Sequence, residues 1–302
     1  MSTYQNPVLA NVADPDVLQF QGQYYLYPTT TDKEVGGIKV YTSRDLVHWQ
    51  DRGVAMRGGD QNWGTRGFWA PDVTEFDGQF IMTYTAEEHL CIAVSDDPLG
   101  PFVQPIFGPL HPATKEIDAH VFVDDDGQAY LYFVRFTGGN VIWAAQLTPD
   151  RLGIEEETLV ELLRPSQPWE KQMGDVNEAP FMLKHEGHYL LTYSGSHFAS
   201  PSYGVGLAIG EKPLGPFVKH SDNPILHGTE LVHGPGHHTF AWSPDGSELF
   251  ILYHVHADAT HANPRKMAID RAVFANDANG GPRLIINGPT SAPQPMPAGA
   301  PQ

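Results

Sequence analysis

The ionisable residues of this chain recur in phase. Five short segments, DPDVLQF (14–20), APDVTEF (70–76), DAHVFVD (118–124), EAPFMLK (178–184) and HHTFAWS (237–243), open on or beside an acid or a histidine. Together they supply Asp14 and Asp16, Asp72, Asp118 and His120, Glu178, and His237 and His238. Carboxyl groups that are distant in sequence but gathered around one point suit cleavage of a glycosidic bond. One protonated carboxyl assists the leaving oxygen, and a second carboxylate activates water or attacks the sugar. A third acid holds the donor in place or raises its pKa by like-charge repulsion.

Such a constellation needs a framework that brings five distant segments to one place. Each segment is followed by a glycine turn and a strand rich in aromatic and branched residues: QGQYYLYPTT (21–30), DGQFIMTYTA (77–86), DGQAYLYFVR (126–135), EGHYLLTYSG (186–195) and DGSELFILYH (245–254). Asp-Gly before such a run is a hairpin signal, and glycine supplies the positive φ of the turn. The turn glycines Gly22, Gly78, Gly127, Gly187 and Gly246 follow at steps of 56, 49, 60 and 59 residues. A third strand follows in each unit, at 38–43, 90–95, 141–147, 203–209 and 267–274. A second echo, SDDPLGPFV (95–103) and GEKPLGPFV (210–218), lies 115 residues apart, close to two units.

Repeats of about 50 residues with three or four strands predict an all-β fold, a five-bladed β-propeller built from residues 1–302 as a single domain. The first strand of each blade then lines the central channel, so acids from different blades meet near the axis. An irregular barrel or sandwich is the alternative. A helical bundle is disfavoured, because no long segment holds a helical apolar period. From about Pro289 the chain turns Pro- and Ala-rich, which predicts a surface strap or a disordered tail.

Charge and composition narrow the partners. Lys and Arg number 18 against 36 Asp and Glu, a net charge of −18, which disfavours nucleic acid and anionic membranes as partners. No apolar stretch approaches the roughly 20 residues that span a bilayer. The N-terminal MSTYQNPVLA lacks a basic patch followed by an apolar run, so the expectation is a cytoplasmic protein. The single cysteine, Cys91, lies in the strand-like LCIAV and reads as a buried small hydrophobe.

Five motifs in order, ADPDV (13–17), WAPDV (69–73), IDAHVFVDDDG (117–127), NEAPF (177–181) and GPGHHTF (234–240), carry a family resemblance over residues 7–287. The sequence resembles glycoside hydrolase family 43, the five-bladed arabinofuranosidases, xylosidases and arabinanases, and most of all its compact single-domain arabinofuranosidases. The resemblance implies Asp14 as general base, Glu178 as general acid and Asp118 as the residue that tunes the acid's pKa. It also implies inversion at the anomeric carbon, with acid and base about 6.5–9.5 Å apart to admit water. By the same resemblance His237 lies on the propeller axis, near substrate and in contact with a structural calcium ion. One histidine is a poor calcium set by itself, since that ion prefers several oxygens. No cofactor is expected in the chemistry.

Among contacts to sugar, the resemblance places Arg265 in the deepest subsite and Trp69 near the pocket, with Phe198 a further aromatic candidate beside Trp143 and Trp169. Trp49 is expected to pack. His254 and His256 share one strand face and are expected at the pocket rim or hydrogen-bonded to a loop; a zinc site is disfavoured because no cysteines accompany them. Asp16 is expected to be structural, and Asp124, Asp125 and Asp126 to be a solvated turn. The expected function is exo-acting release of terminal α-L-arabinofuranosyl residues from arabino-oligosaccharides, arabinan or arabinoxylan. Alternatives are a β-xylosidase or a bifunctional enzyme, then an endo-arabinanase, then a non-catalytic sugar-binding propeller. The chain length leaves no room for the extra β-sandwich of two-domain xylosidases, and ADPDV departs from the NDPNG-like form of retaining propellers.

Overall fold

The computed structural model describes residues 2–30, 35–277 and 280–301. Five antiparallel sheets of three to five strands form the five blades of a β-propeller. The innermost strands are Val12–Phe20, Trp69–Phe76, Glu116–Val123, Asn177–His185 and Gly236–Trp242, in blades I to V. Each pairs with the strand that follows its glycine turn: Gln23–Thr30, Gln79–Ala86, Ala129–Phe136, His188–Gly195 and Leu249–Val255. Blade V takes a strand from the other end of the chain, since Leu9–Ala10 pairs with Lys266 and Met267 and so closes the ring.

Each sheet is apolar on both faces, so every blade must be covered twice. The solution is one apolar cluster at each junction between successive blades. Tyr27, Ile38, Phe80 and Met82 fill the junction of blades I and II, while Leu26, Phe250, Leu252 and Ile269 fill that of blades V and I. Leu26 and Leu252 have no exposed surface, and burial of such a side chain contributes about 1.5–3 kcal/mol. The core therefore surrounds the axis without occupying it, which leaves the axis to polar groups. Each second strand also carries a fully buried tyrosine, Tyr27, Tyr84, Tyr132, Tyr193 or Tyr253. The repeated PLG turns explain part of this pattern: Tyr27 Oη donates to Pro98 O (2.5 Å) and Tyr132 Oη to Pro213 O (2.7 Å), each one blade on.

Three details sharpen the sequence reading. The C-terminal segment is a strap, since Gln294–Pro295 pairs with Thr3–Tyr4 and Met296 packs on the core. Asp125 and Asp126 are exposed, but Asp124 is not solvated as expected. Its side chain accepts hydrogen bonds from Lys184 and Tyr189 of blade IV, which bury it at that junction. Cys91 is fully buried, and Trp49 packs with its Nε1 donating to Leu46 O.

Candidate active site

All five innermost strands carry a one-residue β-bulge near their start, between Ala13 and Asp16, Trp69 and Asp72, Ile117 and His120, Glu178 and Phe181, and Gly236 and His238. The residue inside each bulge has positive φ: Asp14 (+47°), Ala70 (+41°), Asp118 (+55°), Ala179 (+49°) and His237 (+44°). A bulge bends a strand and re-aims its side chains. Asp and His tolerate the left-handed region better than most residues, which suits three of these five positions. Backbone strain of this kind costs about 1–3 kcal/mol per residue, and here it turns Asp14, Asp118 and His237 toward one another.

Asp14 is the most heavily contacted member. Arg265 Nη1 donates to its Oδ1 at 2.7 Å. His254 Nδ1 lies 3.1 Å and His237 Nδ1 3.3 Å from the same oxygen. Burial pushes the Asp14 carboxyl up, but the Arg265 guanidinium, with His237 and His254, outweighs it and holds the group well below the usual carboxylate range. Burial and the Arg265 charge together push His254 down to about 3, so its imidazole is neutral beside the carboxylate.

Asp118 and Glu178 have the opposite balance. Asp118 Oδ2 accepts from Ala179 N (3.3 Å) and lies 3.8 Å from His237 Nδ1. Burial, then the charges of Glu178 and Asp14, push its carboxyl well up. Glu178 Oε1 accepts from Tyr203 Oη (2.8 Å), and Oε2 accepts from Asn140 Nδ2 (2.9 Å). Burial raises Glu178 to about 7, with a smaller upward push from Asp14, against the lowering effect of those two donors. The site thus holds one firmly ionised carboxylate and two carboxyl groups that retain a proton far more readily.

The other expected residues divide. Arg265 and Phe198 reach the site together, the guanidinium lying 4.8 Å from the centre of the Phe198 ring. Trp69 stands at the strand start beside the left-handed Ala70 with 41% of its surface exposed. Trp169 is a packing residue against Tyr193, and Trp143 lies under Arg135. His254 does not sit at the rim as expected; it is fully buried against Asp14, because its strand lies directly beside the blade V bulge. His256 does bond a loop, with Nε2 2.8 Å from Phe198 O. Tyr203 and Asn140 were missed by the sequence reading. A signal for Tyr203 exists in GPGHH: a Cβ on Gly236 would lie 2.3 Å from the Tyr203 ring, and one on Gly234 would lie 2.0 Å from His256 Nε2.

Below the acids, Asp16, Asp72, Asp118, His120, His237 and His238 line a cavity of about 20 Å³. Sugar pockets are far larger, so this cavity is too small to hold a sugar. A hollow of about 370 Å³ on the outer edge of blade III, bordered by Gly127, Gln146 and Arg151, contains none of these residues. The donors around His237 do not fit the implied calcium ion. Calcium takes six to eight oxygens, whereas the described residues contain no group of three or more His, Cys, Asp or Glu placed to hold a metal.

Comparison with known proteins bears on the family and the fold. The β-D-galactofuranosidase xynD of Aspergillus niger is 29% identical over 89% of this chain and 82% of its own length. The arabinoxylan arabinofuranohydrolase of Bacillus subtilis is 28% identical over 68% of this chain, which spans 48% of that longer protein. A crystal structure described as an endo-1,4-β-xylanase from Bacteroides thetaiotaomicron superposes with a TM-score of 0.86 at 39% identity, covering 94% of this chain and 97% of the other. The model of glycosyl hydrolases family 43 matches residues 4–279, and the chain belongs to that family of glycoside hydrolases.

Proposed function

We propose that this glycoside hydrolase is exo-acting and inverting, and that it releases terminal α-L-arabinofuranosyl residues from arabino-oligosaccharides, arabinan or arabinoxylan. The observation that carries the mechanism is the unlike setting of two buried carboxyl groups on one axis: Asp14 is paired with Arg265, which favours its ionised form, while Glu178 is held by Tyr203 and Asn140 away from any such cation contact and its burial favours the protonated form. Asp14, ionised beside Arg265, takes a proton from water as the water oxygen bonds to the anomeric carbon. Glu178 gives its proton to the glycosidic oxygen as the bond to the leaving group breaks. In this reading Asp118 tunes the acid: the two carboxyl groups disfavour being ionised together, and Asp118 Oδ2 fixes the backbone beside Glu178 by accepting from Ala179 N. Exchange with solvent then resets both carboxyl groups, so no cofactor takes part. Arg265, His237, Phe198 and Trp69 contact the sugar in this reading.

The preference for a furanoside is supported by the two relatives named for furanosidase activity. A second reading, action on xylosides, is favoured by the 39% identity to a structure described as a xylanase and by relatives at 27–28% identity named xylosidase/arabinosidase or β-xylosidase. Side-by-side rates on aryl α-L-arabinofuranoside, aryl β-D-xyloside and aryl β-D-galactofuranoside test the choice. The first is expected to react fastest, and a clear preference for the xyloside would establish the second reading. Proton NMR of the first-formed sugar is expected to show the inverted anomer; a retained anomer would overturn the inverting mechanism.

A further inference from the structure

Tyr203 touches both halves of the site. It opens the third strand of blade IV, immediately before Gly204, and has no exposed surface. Its hydroxyl donates to Glu178 Oε1 at 2.8 Å and also bonds the Ser194 side chain, whose oxygen accepts from His237 N at 2.8 Å. Its ring stacks on His254, with centroids 5.5 Å apart and planes 6° from parallel. His254 Nδ1 in turn lies 3.1 Å from Asp14 Oδ1. The seat is tight, since a Cβ on Gly236 would come within 2.3 Å of the ring.

We propose that Tyr203 is a positioning residue, with its hydroxyl fixing the Glu178 carboxyl and its ring fixing the His254 imidazole against Asp14, so that one side chain sets the acid and the base relative to each other. This rests on the assignment of Glu178 as acid and Asp14 as base. A fully buried phenol is costly to place unless its hydroxyl is bonded, and here the bond goes to the group that must move a proton. Asn140 holds the other Glu178 oxygen, so the carboxyl has no free rotation about its own axis. Asp14 and Arg265 act on Glu178 by charge, and Glu178 in turn acts on Asp118; all three neighbours remain when the Tyr203 hydroxyl is removed.

The test is Tyr203→Phe, which keeps the ring and its stack on His254 but deletes the donor to Glu178. Removing a donor from a carboxylate favours its protonated form by about one pKa unit. The basic limb of the kcat/KM profile is therefore expected to move up by about one unit, with kcat on an unactivated glycoside down several-fold and KM unchanged. Gly236→Ala, which displaces the ring, is expected to move the same limb and serves if Tyr203→Phe does not fold. Glu178→Gln, assayed on a glycoside whose leaving group needs no proton, separates the two ideas. If Glu178→Gln is as damaging on that substrate as on an unactivated one, the acid assignment fails. If it is spared there while Tyr203→Phe and Gly236→Ala leave the limb in place, the positioning role of Tyr203 fails alone.

Discussion

Asp14 and Asp16 stand two residues apart on one strand, both buried, and meet opposite fates. The bulge turns Asp14 toward Arg265, His237 and His254, and these neighbours hold it ionised. Asp16 continues down the axis, where it faces no such cation. Burial, and then the charge of Asp72, push its carboxyl well above the usual range. Its Oδ2 accepts from Val73 N of blade II (2.9 Å), and Asp72 repeats the device by accepting from Val121 N of blade III (3.1 Å). Asp72 Oδ2 also lies 2.7 Å from His120 Nδ1, and His120 stacks on Phe181 of blade IV at 4.1 Å. One tier of the axis is thus organised around a charge, and the tier below is organised around bonds between blades. Proximity in sequence is no guide to role here; the left-handed backbone at Asp14 itself, which Asp16 lacks, turns the two carboxyl groups apart.

The comparison is tested first by rate. Asp14→Asn and Glu178→Gln are each expected to lower kcat on an unactivated glycoside by about 10²–10⁴-fold, the usual contribution of a positioned acid or base. Asp16→Asn is expected to cost no more than a few-fold. Equal losses for Asp14→Asn and Asp16→Asn would erase the distinction between the tiers.

A second test removes the cation. Arg265→Met leaves Asp14 to the upward push of burial, so its pKa rises. The base must be ionised to act, so the acid limb of kcat/KM moves to higher pH, by about one to two units on the scale of a charged hydrogen bond. An unmoved acid limb would mean that Arg265 does not set the ionisation of Asp14.

The lower tier predicts an effect on stability. Because the folded protein holds a proton on Asp16 above the ordinary carboxylate range, its stability falls as pH rises from that range through the raised folded value. Asp16→Asn carries no such proton. Its melting temperature is expected to match the parent at low pH and to exceed it by a few degrees at higher pH, a scale of about 2–4 °C per kcal/mol. A gap that shrinks with pH would contradict the sign. The smallest effect belongs to the exposed Trp69. Trp69→Ala is expected to raise KM by about 2–10-fold, the worth of an aromatic contact, with kcat little changed; a loss confined to kcat would remove Trp69 from sugar binding.

Much of this arrangement was legible in the residues. Gly22, Gly78, Gly127, Gly187 and Gly246 marked the hairpins, and the phase of Asp14, Asp118 and His237 marked the axis. What stayed hidden was set by backbone geometry and by long-range contact. Glu178 lies one residue before its left-handed position, Ala179, whereas Asp14 and Asp118 occupy theirs, and no periodicity reveals that offset. His254 and Arg265 meet Asp14 across 240 and 251 residues, because the ring closes there. Tyr203 opens the strand expected at 203–209 and Asn140 directly precedes the one expected at 141–147, and nothing in either stretch points to a distant carboxyl partner. The space that Gly236 leaves for Tyr203 becomes meaningful only when two blades are side by side.

The most direct test of the split between Asp14 and Glu178 is the pH dependence of kcat/KM for the parent enzyme and for Glu178→Gln, both on a moderately activated aryl glycoside, whose leaving group still gains from a proton but can depart without one. Such a profile reports the acid and base of the free enzyme. The parent is expected to hold its activity well into acid pH and to lose it above about 7, where Glu178 gives up its proton. The variant is expected to keep the acid limb and to lack the one near 7. A limb near 7 that persists in Glu178→Gln would contradict the account.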